Sequence, residues 1–221
     1  MPYLRQQLID AAIRVAQRGL NNGTSGNLSV RAVQDGEAGF LITPTSMPYE
    51  DLTPDDIVFI GLDGSHEGVH RNQRKPSTEW RFHLDIYLAR PEAGAVLHAH
   101  SRFATSLACL RRDIPAFHYM IALFGGDTLR CAEYATFGTQ ALSDNALAAM
   151  QERSACLLAN HGMLVFGRDL DQALDLGVEL ESLCEQYWRA CQLGQPVLLS
   201  PEEMAEVLAK FASYGQQDAV Q

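Results

Sequence analysis

An α/β fold of the α+β kind, a single domain with a central, mainly antiparallel β-sheet flanked by helices, is the architecture this sequence predicts. Three observations carry that expectation. Strand and helix patterns are mixed without the regular alternation of βαβ units. Several strand patterns follow one another closely enough to form hairpins. No repeat, low-complexity linker or shift of composition divides the 221 residues, so residues 1–221 read as one domain, long enough to bury a substantial core.

Leu4, Leu8, Ala11, Ala12, Val15 and Ala16 recur at helical spacing until Gly19 stops them, which gives an amphipathic first helix. Leu28 to Val33, Gly39 to Ile42 and Ile57 to Ile60 read as short strands between turns of glycine, aspartate and proline. Pro76-Ser77-Thr78-Glu79 opens a helix that carries Trp80, Leu84, Tyr87 and Leu88 and ends at Pro91. Here Ser77 suits the N-cap, with Glu79 in the first turn among free backbone amides. A strand over 95–99 precedes a helix from Arg102 to Leu110, and another helical segment lies near 140–152. Two strands surround His161. A long helix from Asp169 to Leu193 and a last one from Pro201 to Phe211 complete the order.

The composition is that of a globular domain, 47% hydrophobic and 20% charged. A formal charge of -10 and a pI near 5.1 argue against nucleic acid or an anionic membrane as partner, since both need basic patches. Any anion site must then be local, built from backbone amides, hydroxyls or a metal. The N-terminus has no apolar leader pattern and no stretch approaches 18 apolar residues, so a cytoplasmic location is expected. The five cysteines are odd in number and form no C-x-x-C pair, and they read as small buried residues in a reducing compartment.

The most informative segment is Ala95-Val-Leu-His98-Ala-His100. In a strand, residues i and i+2 project from one face, so His98 and His100 can aim two imidazoles at one point. A third histidine, His161, stands at the end of another buried-strand pattern and is followed at once by glycine. Three protein ligands with an open fourth position are the pattern of a catalytic zinc. Taken alone, a His-x-His pair is more often a pair of ordinary polar residues at a strand end.

Three further segments could carry chemistry. Asn21-Asn-Gly23-Thr-Ser-Gly26-Asn27 exposes backbone amides and is equally a loop closing the first helix. Thr43-Pro44-Thr45-Ser46 gives hydroxyls pinned between prolines, and by itself is a turn. Ser77-Thr78-Glu79 is either a helix cap or a carboxylate at the edge of an anion site, the geometry metal-assisted proton abstraction needs. His83 lies four residues beyond Glu79, where it could orient the carboxylate or simply pack. With His66, His70 and His118 it reads as a non-ligand. The stretch Glu67 to Lys75, with three cationic residues and His70, reads as a solvated loop that could also touch an anionic substrate.

Read together, these motifs, with Ile114-Pro-Ala-Phe-His-Tyr119, Tyr134-Ala-Thr-Phe137-Gly-Thr and Lys210-Phe-Ala-Ser-Tyr214-Gly, resemble the class II aldolases of the L-fuculose-1-phosphate aldolase family. That group also holds L-ribulose-5-phosphate 4-epimerase and related lyases. The motifs appear in the family's order over nearly the whole chain. The resemblance implies zinc held by His98, His100 and His161, with cobalt or manganese as alternatives, and Glu79 touching the metal before acting as general acid/base. It implies phosphate binding by Gly26-Asn27, Thr45-Ser46 and Ser77-Thr78, and Tyr119 as a proton donor reaching in from a neighbouring subunit. Phe137 and Tyr214 would line the aldehyde pocket of a homotetramer with sites between subunits. The implied reaction splits a ketose 1-phosphate, L-fuculose 1-phosphate or a deoxy or methylthio pentulose analogue, into dihydroxyacetone phosphate and a short aldehyde through a metal-stabilised enediolate. A related lyase, decarboxylase or 4-epimerase shares the fold, and so does a non-catalytic module with a structural zinc. Lys75 and Lys210, the two lysines, lie in no apolar pattern suited to imine chemistry. The family usually has glycine where Ser46 stands and serine where Thr78 stands, so both differences touch the phosphate end.

Overall fold

The computed structural model describes residues 1–21, 23–66 and 74–213, with side chains to Phe211. Tyr214 lies outside the described residues, as does most of the basic loop, including His70 and Arg71. Helix α1 (Pro2–Gln17) leads to β1 (Asn27–Gln34), β2 (Glu37–Ile42) and β3 (Val58–Gly61). Helix α2 (Trp80–Ala89), strand β4 (Ala95–Ala99) and helix α3 (Arg102–Ala108) follow. A 3-10 turn (Tyr119–Phe124) and the short β5 (Cys131–Ala132) come next, then α4 (Gln140–Ala149), β6 (Ala155–Leu158), β7 (Gly162–Gly167), α5 (Leu170–Leu193) and α6 (Pro201–Ser213).

The strands form one seven-stranded sheet in the order β3-β2-β1-β4-β7-β6-β5. Every pairing is antiparallel except β5 with β6, in line with the mainly antiparallel sheet the sequence predicts. Side chains alternate between two apolar layers. On one face Ala95, Leu97 and Ala99 of β4 join Leu8, Val165 and Leu180 from α1, β7 and α5. On the other, Val96 packs with Phe40, Phe82, Ile86 and Leu164 beneath α2 and α4. Strand β4 is central and buried along its whole length, which explains its continuous apolar run.

Several element boundaries differ from the sequence reading. Helix α2 starts at Trp80, so Glu79 itself occupies the N-cap position (φ -101°, ψ 16°) and Ser77 does not cap the helix. The Ser77 hydroxyl instead accepts from the Glu79 amide at 3.3 Å, a local turn that competes with the helix start. Helices α3 and α4 end at Ala108 and Ala149, short of 110 and 152. Within 111–139, where no periodic pattern marks an element, the chain forms the 3-10 turn and β5. Of the cysteines, Cys156 and Cys184 are buried as expected, but Cys109 and Cys191 are exposed. No helix among the described residues is long and apolar enough to cross a membrane.

Immediately after the His98–His100 strand, α3 is capped from a distance. Ser101 is the N-cap residue, but its side chain makes no capping bond. The Glu181 carboxylate on α5 accepts from the Ser101 hydroxyl (2.6 Å) and from the amides of Phe103 (2.8 Å) and Ala104 (2.9 Å). Negative charge at a helix N-terminus is favourable, and losing it leaves three donors without partners. Glu181→Ala is expected to destabilise the fold by about 2–3 kcal/mol, read as a lower urea midpoint, with Glu181→Gln recovering roughly half.

Candidate metal centre and active site

The sheet places two of the three predicted ligands. In the register of β1, β4 and β7, His98 stands between Asn27 and Leu164. Asn27 and His98 therefore project side by side toward α2. The His98 Nδ1 lies 2.9 Å from the carbonyl of Met163. A carbonyl only accepts, so Nδ1 carries a proton and Nε2 is turned to the cluster. His100 follows one residue past the strand, its amide donating to the Asn21 side chain at 2.9 Å. His161 comes from the turn between β6 and β7, where Asn160 adopts a left-handed conformation (φ 54°). Gly162 is required beside it, because a Cβ there would sit 2.5 Å from the Ala99 carbonyl oxygen and 2.9 Å from the His100 ring.

The three rings are related almost by a threefold axis. Their centroids are 4.8, 4.7 and 4.8 Å apart, with interplanar angles of 77°, 67° and 71°. One nitrogen of each ring lies within 4.8 Å of the others, and His98 Nε2 and His100 Nε2 approach to 2.9 Å. Zinc–nitrogen bonds of about 2.0–2.1 Å in a tetrahedron put ligand nitrogens about 3.3 Å apart, so convergence on one cation fits.

Glu79, 7% exposed, faces this cluster. Its Oε2 lies 3.3 Å from His98 Nε2 and accepts from Asn27 Nδ2 at 3.0 Å. Its Oε1 lies 3.2 Å from His161 Nε2, yet this buried oxygen makes no hydrogen bond. A buried carboxylate oxygen in that condition is what a nearby cation would satisfy. Burial by itself would raise the Glu79 carboxyl, but the charge and hydrogen bond of His98, then His161 and Asn27, hold it down to about 2. Burial, followed by the neighbouring imidazoles, holds His100 and His161 down to about 4, which keeps both lone pairs free for a metal near neutral pH.

The cleft in front of this cluster has a volume of about 320 Å³. It is lined by a lip of neutral donors, Thr24 to Asn27, Thr45, Ser46, Ser77 and Thr78, and by Tyr134, Ala135 and Phe137. The two proline loops of the lip are zipped together, Ser77 N to the Thr43 carbonyl and Thr45 N to the Lys75 carbonyl, both at 3.1 Å. Among the described residues, no lysine or arginine lines the cleft. Gly26 is left-handed (φ 87°) and a side chain on it would collide with Asn21. Ser46 is also left-handed (φ 58°), a conformation that costs a non-glycine residue about 1–2 kcal/mol.

The structure brings together Gly26, Asn27, Thr45, Ser46, Ser77, Thr78, Glu79, His100, His161 and Phe137 around this cleft, with His98 behind them. Tyr119 is elsewhere. Half-exposed, it lines a separate groove with Met120, Leu123 and Phe211. Tyr134 and Asn160 are cleft residues that sequence reasoning did not single out. Asn160 is held by Arg111 (2.6 Å), whose guanidinium also lies over the Tyr134 ring at 5.4 Å. The adjacency of Asn160 to His161 was the available signal.

The model of the "Class II Aldolase and Adducin N-terminal domain" family matches residues 6–188. The chain belongs to this family. A Rhodospirillum rubrum protein named 5-methylthioribulose-1-phosphate/5-deoxyribulose-1-phosphate aldolase is 57% identical over 212 residues, 96% of this chain and 92% of that one. The L-fuculose phosphate aldolase of Escherichia coli K12 is 47% identical over 213 residues, 96% of this chain and 95% of that one. A solved structure of an L-fuculose 1-phosphate aldolase superposes with a TM-score of 0.88 at 39% identity, covering 96% of this chain and 97% of its own. The chain is thus a class II aldolase, a metal-dependent type, and the three imidazoles are a site able to hold the metal.

In the unfolded chain these imidazoles take up protons near pH 6.5, whereas His83, His100 and His161 do so in the metal-free fold only near pH 3 to 4. The unfolded state binds more protons in between, so stability is full above about pH 6.5 and falls as the pH drops toward 4. The fully buried His83 alone accounts for on the order of 2 kcal/mol by pH 5. Urea midpoints of chelator-treated protein at pH 7, 6 and 5 should fall in that order, and zinc added at pH 7 should raise the thermal midpoint in the wild type but not in His161→Ala.

Proposed function

We propose that this chain is a zinc-dependent aldolase that reversibly cleaves a ketose 1-phosphate into dihydroxyacetone phosphate and a short aldehyde. The observation that carries this reading is the three-part cleft: a lip of neutral donors, a carboxylate against three imidazoles, and an aromatic wall. These suit in turn a phosphate, a hydroxyketone and an aldehyde with little polarity at its far end. A 5-deoxy or 5-methylthio pentulose 1-phosphate fits that wall and the name of the Rhodospirillum rubrum relative; L-fuculose 1-phosphate is the other candidate.

Held by His98, His100 and His161, zinc supplies Lewis acidity for the carbonyl that must bear negative charge. The chain's own groups do the rest. Hydroxyls of Thr45, Ser46, Ser77 and Thr78, with the amides of the Gly26–Asn27 loop, bind the phosphate. Glu79 moves the proton at the carbon that forms and breaks the bond, with Oε1, the oxygen lacking a hydrogen bond, as the atom that holds it. Next to the histidines Glu79 is a weak base. Burial is the largest single influence on it and acts upward, so a small displacement away from His98 and His161 within a dry cleft turns it into a stronger one.

The 3-10 turn leaves Tyr119 outside its own cleft and half-exposed, which supports its role as proton donor in the site of a neighbouring copy of a homotetramer. Phe137 would border the aldehyde in the chain's own cleft, and Tyr214 is assigned to the same pocket.

The deciding experiment couples release of dihydroxyacetone phosphate to NADH oxidation for both candidate ketose 1-phosphates. Turnover should disappear with chelator. Glu79→Gln should keep zinc but lose roughly 10²–10⁴-fold in kcat. Recovery of a 4-epimer or of carbon dioxide in place of dihydroxyacetone phosphate would assign a different reaction of the same fold. Ser46→Gly should raise stability by about 1 kcal/mol by relieving the left-handed backbone, while raising KM for the phosphorylated substrate if the hydroxyl binds phosphate. An unchanged KM would remove Ser46 from that site.

A further inference from the structure

Glu79 is the cleft end of an unbroken line of buried polar groups running from the cleft into the layer between the sheet and α2. Its Oε2 accepts from Asn27 Nδ2 at 3.0 Å, and Asn27 Oδ1 lies 2.5 Å from His83 Nε2. On the far side of the ring, His83 Nδ1 lies 2.7 Å from Ser29 Oγ, which lies 2.8 Å from the Tyr87 hydroxyl. Asn27, Ser29, His83 and Tyr87 are each at most 2% exposed. The backbone explains the line: Asn27 and Ser29 share one face of β1, while His83 and Tyr87 are one turn apart on α2.

The direction of every bond follows from the chemistry of the end group. A carboxylate only accepts, so Asn27 must present its Nδ2 to Glu79 and its Oδ1 to His83. An amide oxygen also only accepts, so His83 carries its proton on Nε2. Burial, reinforced by the nearby His98, holds His83 down to about 3, so the ring is neutral at working pH. Its Nδ1 must therefore accept from the Ser29 hydroxyl, whose oxygen in turn accepts from Tyr87. Reversing any single link sets two acceptors or two donors face to face in a dry interior, at a cost comparable to a lost buried hydrogen bond.

We infer that His83, which touches neither the histidine cluster nor the cleft, is a positioning residue: its Nε2–H fixes the side-chain amide of Asn27, and Asn27 fixes the Glu79 carboxylate. Without that donor the Asn27 amide is free to turn over and set its oxygen against Oε2, which pushes the carboxylate out of register. This inference rests on the reading of Glu79 as the acid/base of the reaction.

The test compares His83→Leu, which removes the donor at similar volume, with His83→Gln, whose amide nitrogen reaches the place of Nε2. In zinc-loaded enzyme, His83→Leu should lower kcat about 10- to 100-fold, with KM within about 3-fold of wild type and one zinc per chain retained. His83→Gln should return to within about 5-fold of wild type. Equal losses in both variants, or wild-type kcat in His83→Leu, would overturn the inference, because a residue that only packs gives no such split. If His83→Leu does not fold, Tyr87→Phe serves as the milder break at the far end, and a kcat decrease of about 2- to 5-fold at constant KM is expected. A second readout is independent of turnover. In ¹⁵N-histidine-labelled protein, His83 should be the neutral Nε2–H tautomer from pH 5 to 9. An Nδ1–H tautomer or an imidazolium there would refute the line's direction whatever the substrate is. A wild type that turns over neither ketose 1-phosphate would instead count against the proposed reaction and leave the tautomer result to decide the positioning.

Discussion

A carboxylate buried to within a few per cent of complete exclusion from water stays ionised only if cationic or hydrogen-bonding partners surround it. Glu79 is such a group, and the arrangement of the central sheet follows from supplying its partners. Asn27 and His98 come from neighbouring strands and stand side by side, His161 comes from the adjoining hairpin turn, and Glu79 arrives at the N-cap of α2. The register of β1, β4 and β7 is thus a chemical constraint as well as a packing one. A slip of one residue in β4 would turn His98 and His100 toward the opposite apolar layer and bring Leu97 to the carboxylate.

Around that fixed centre the cleft is assembled from parts with different tolerances. The donor lip consists of short loops cross-bonded through Thr43, Thr45, Lys75 and Ser77, so hydroxyls remote in sequence are held on one edge. Its described cleft-lining residues are neutral, so in a chain with an excess of acidic residues the proposed phosphate recognition depends on directed short-range donors. The aromatic side is looser. Phe137 is 63% exposed and Tyr134 52%, with Arg111 bracing Tyr134 and Asn160 together. Under the proposed function the donor lip takes the phosphate and the exposed aromatic side the aldehyde, and the relatives' names differ in the sugar but share the phosphate.

Much of this was legible in the sequence, for identifiable reasons. His98 lies in a buried strand and His100 one residue past its end, so the two-residue period, carried one step further, suffices to bring them together. His161 was visible as a histidine at a strand end before glycine, and the structure gives the reason for that glycine in its approach to Ala99 and His100. The start of α2 was misplaced because Ser77 has the chemistry of a helix cap but uses its hydroxyl in a turn one residue ahead. The 3-10 turn at Tyr119 and the two-residue β5 escaped because neither is long enough to show a period. The link from His83 to Glu79 was anticipated as a same-face contact along α2. It runs instead through Asn27, a residue on β1 that no spacing within the helix could reveal.

By itself the sequence determined the longer strands and helices, that the sheet is mainly antiparallel, and which residues have the chemistry of metal ligands, acid/base and anion donors. Those properties are local: periodicity, turn preference and side-chain type are present before the chain folds. The tertiary structure decided which of these groups share a cavity, that Tyr119 lies outside it, which oxygen of Glu79 is tied to Asn27, and the direction of the buried line through His83 and Ser29. These depend on strand register and on the packing of α2 across β1, where distances of 2.5 to 3.0 Å are set by contacts between residues more than fifty positions apart.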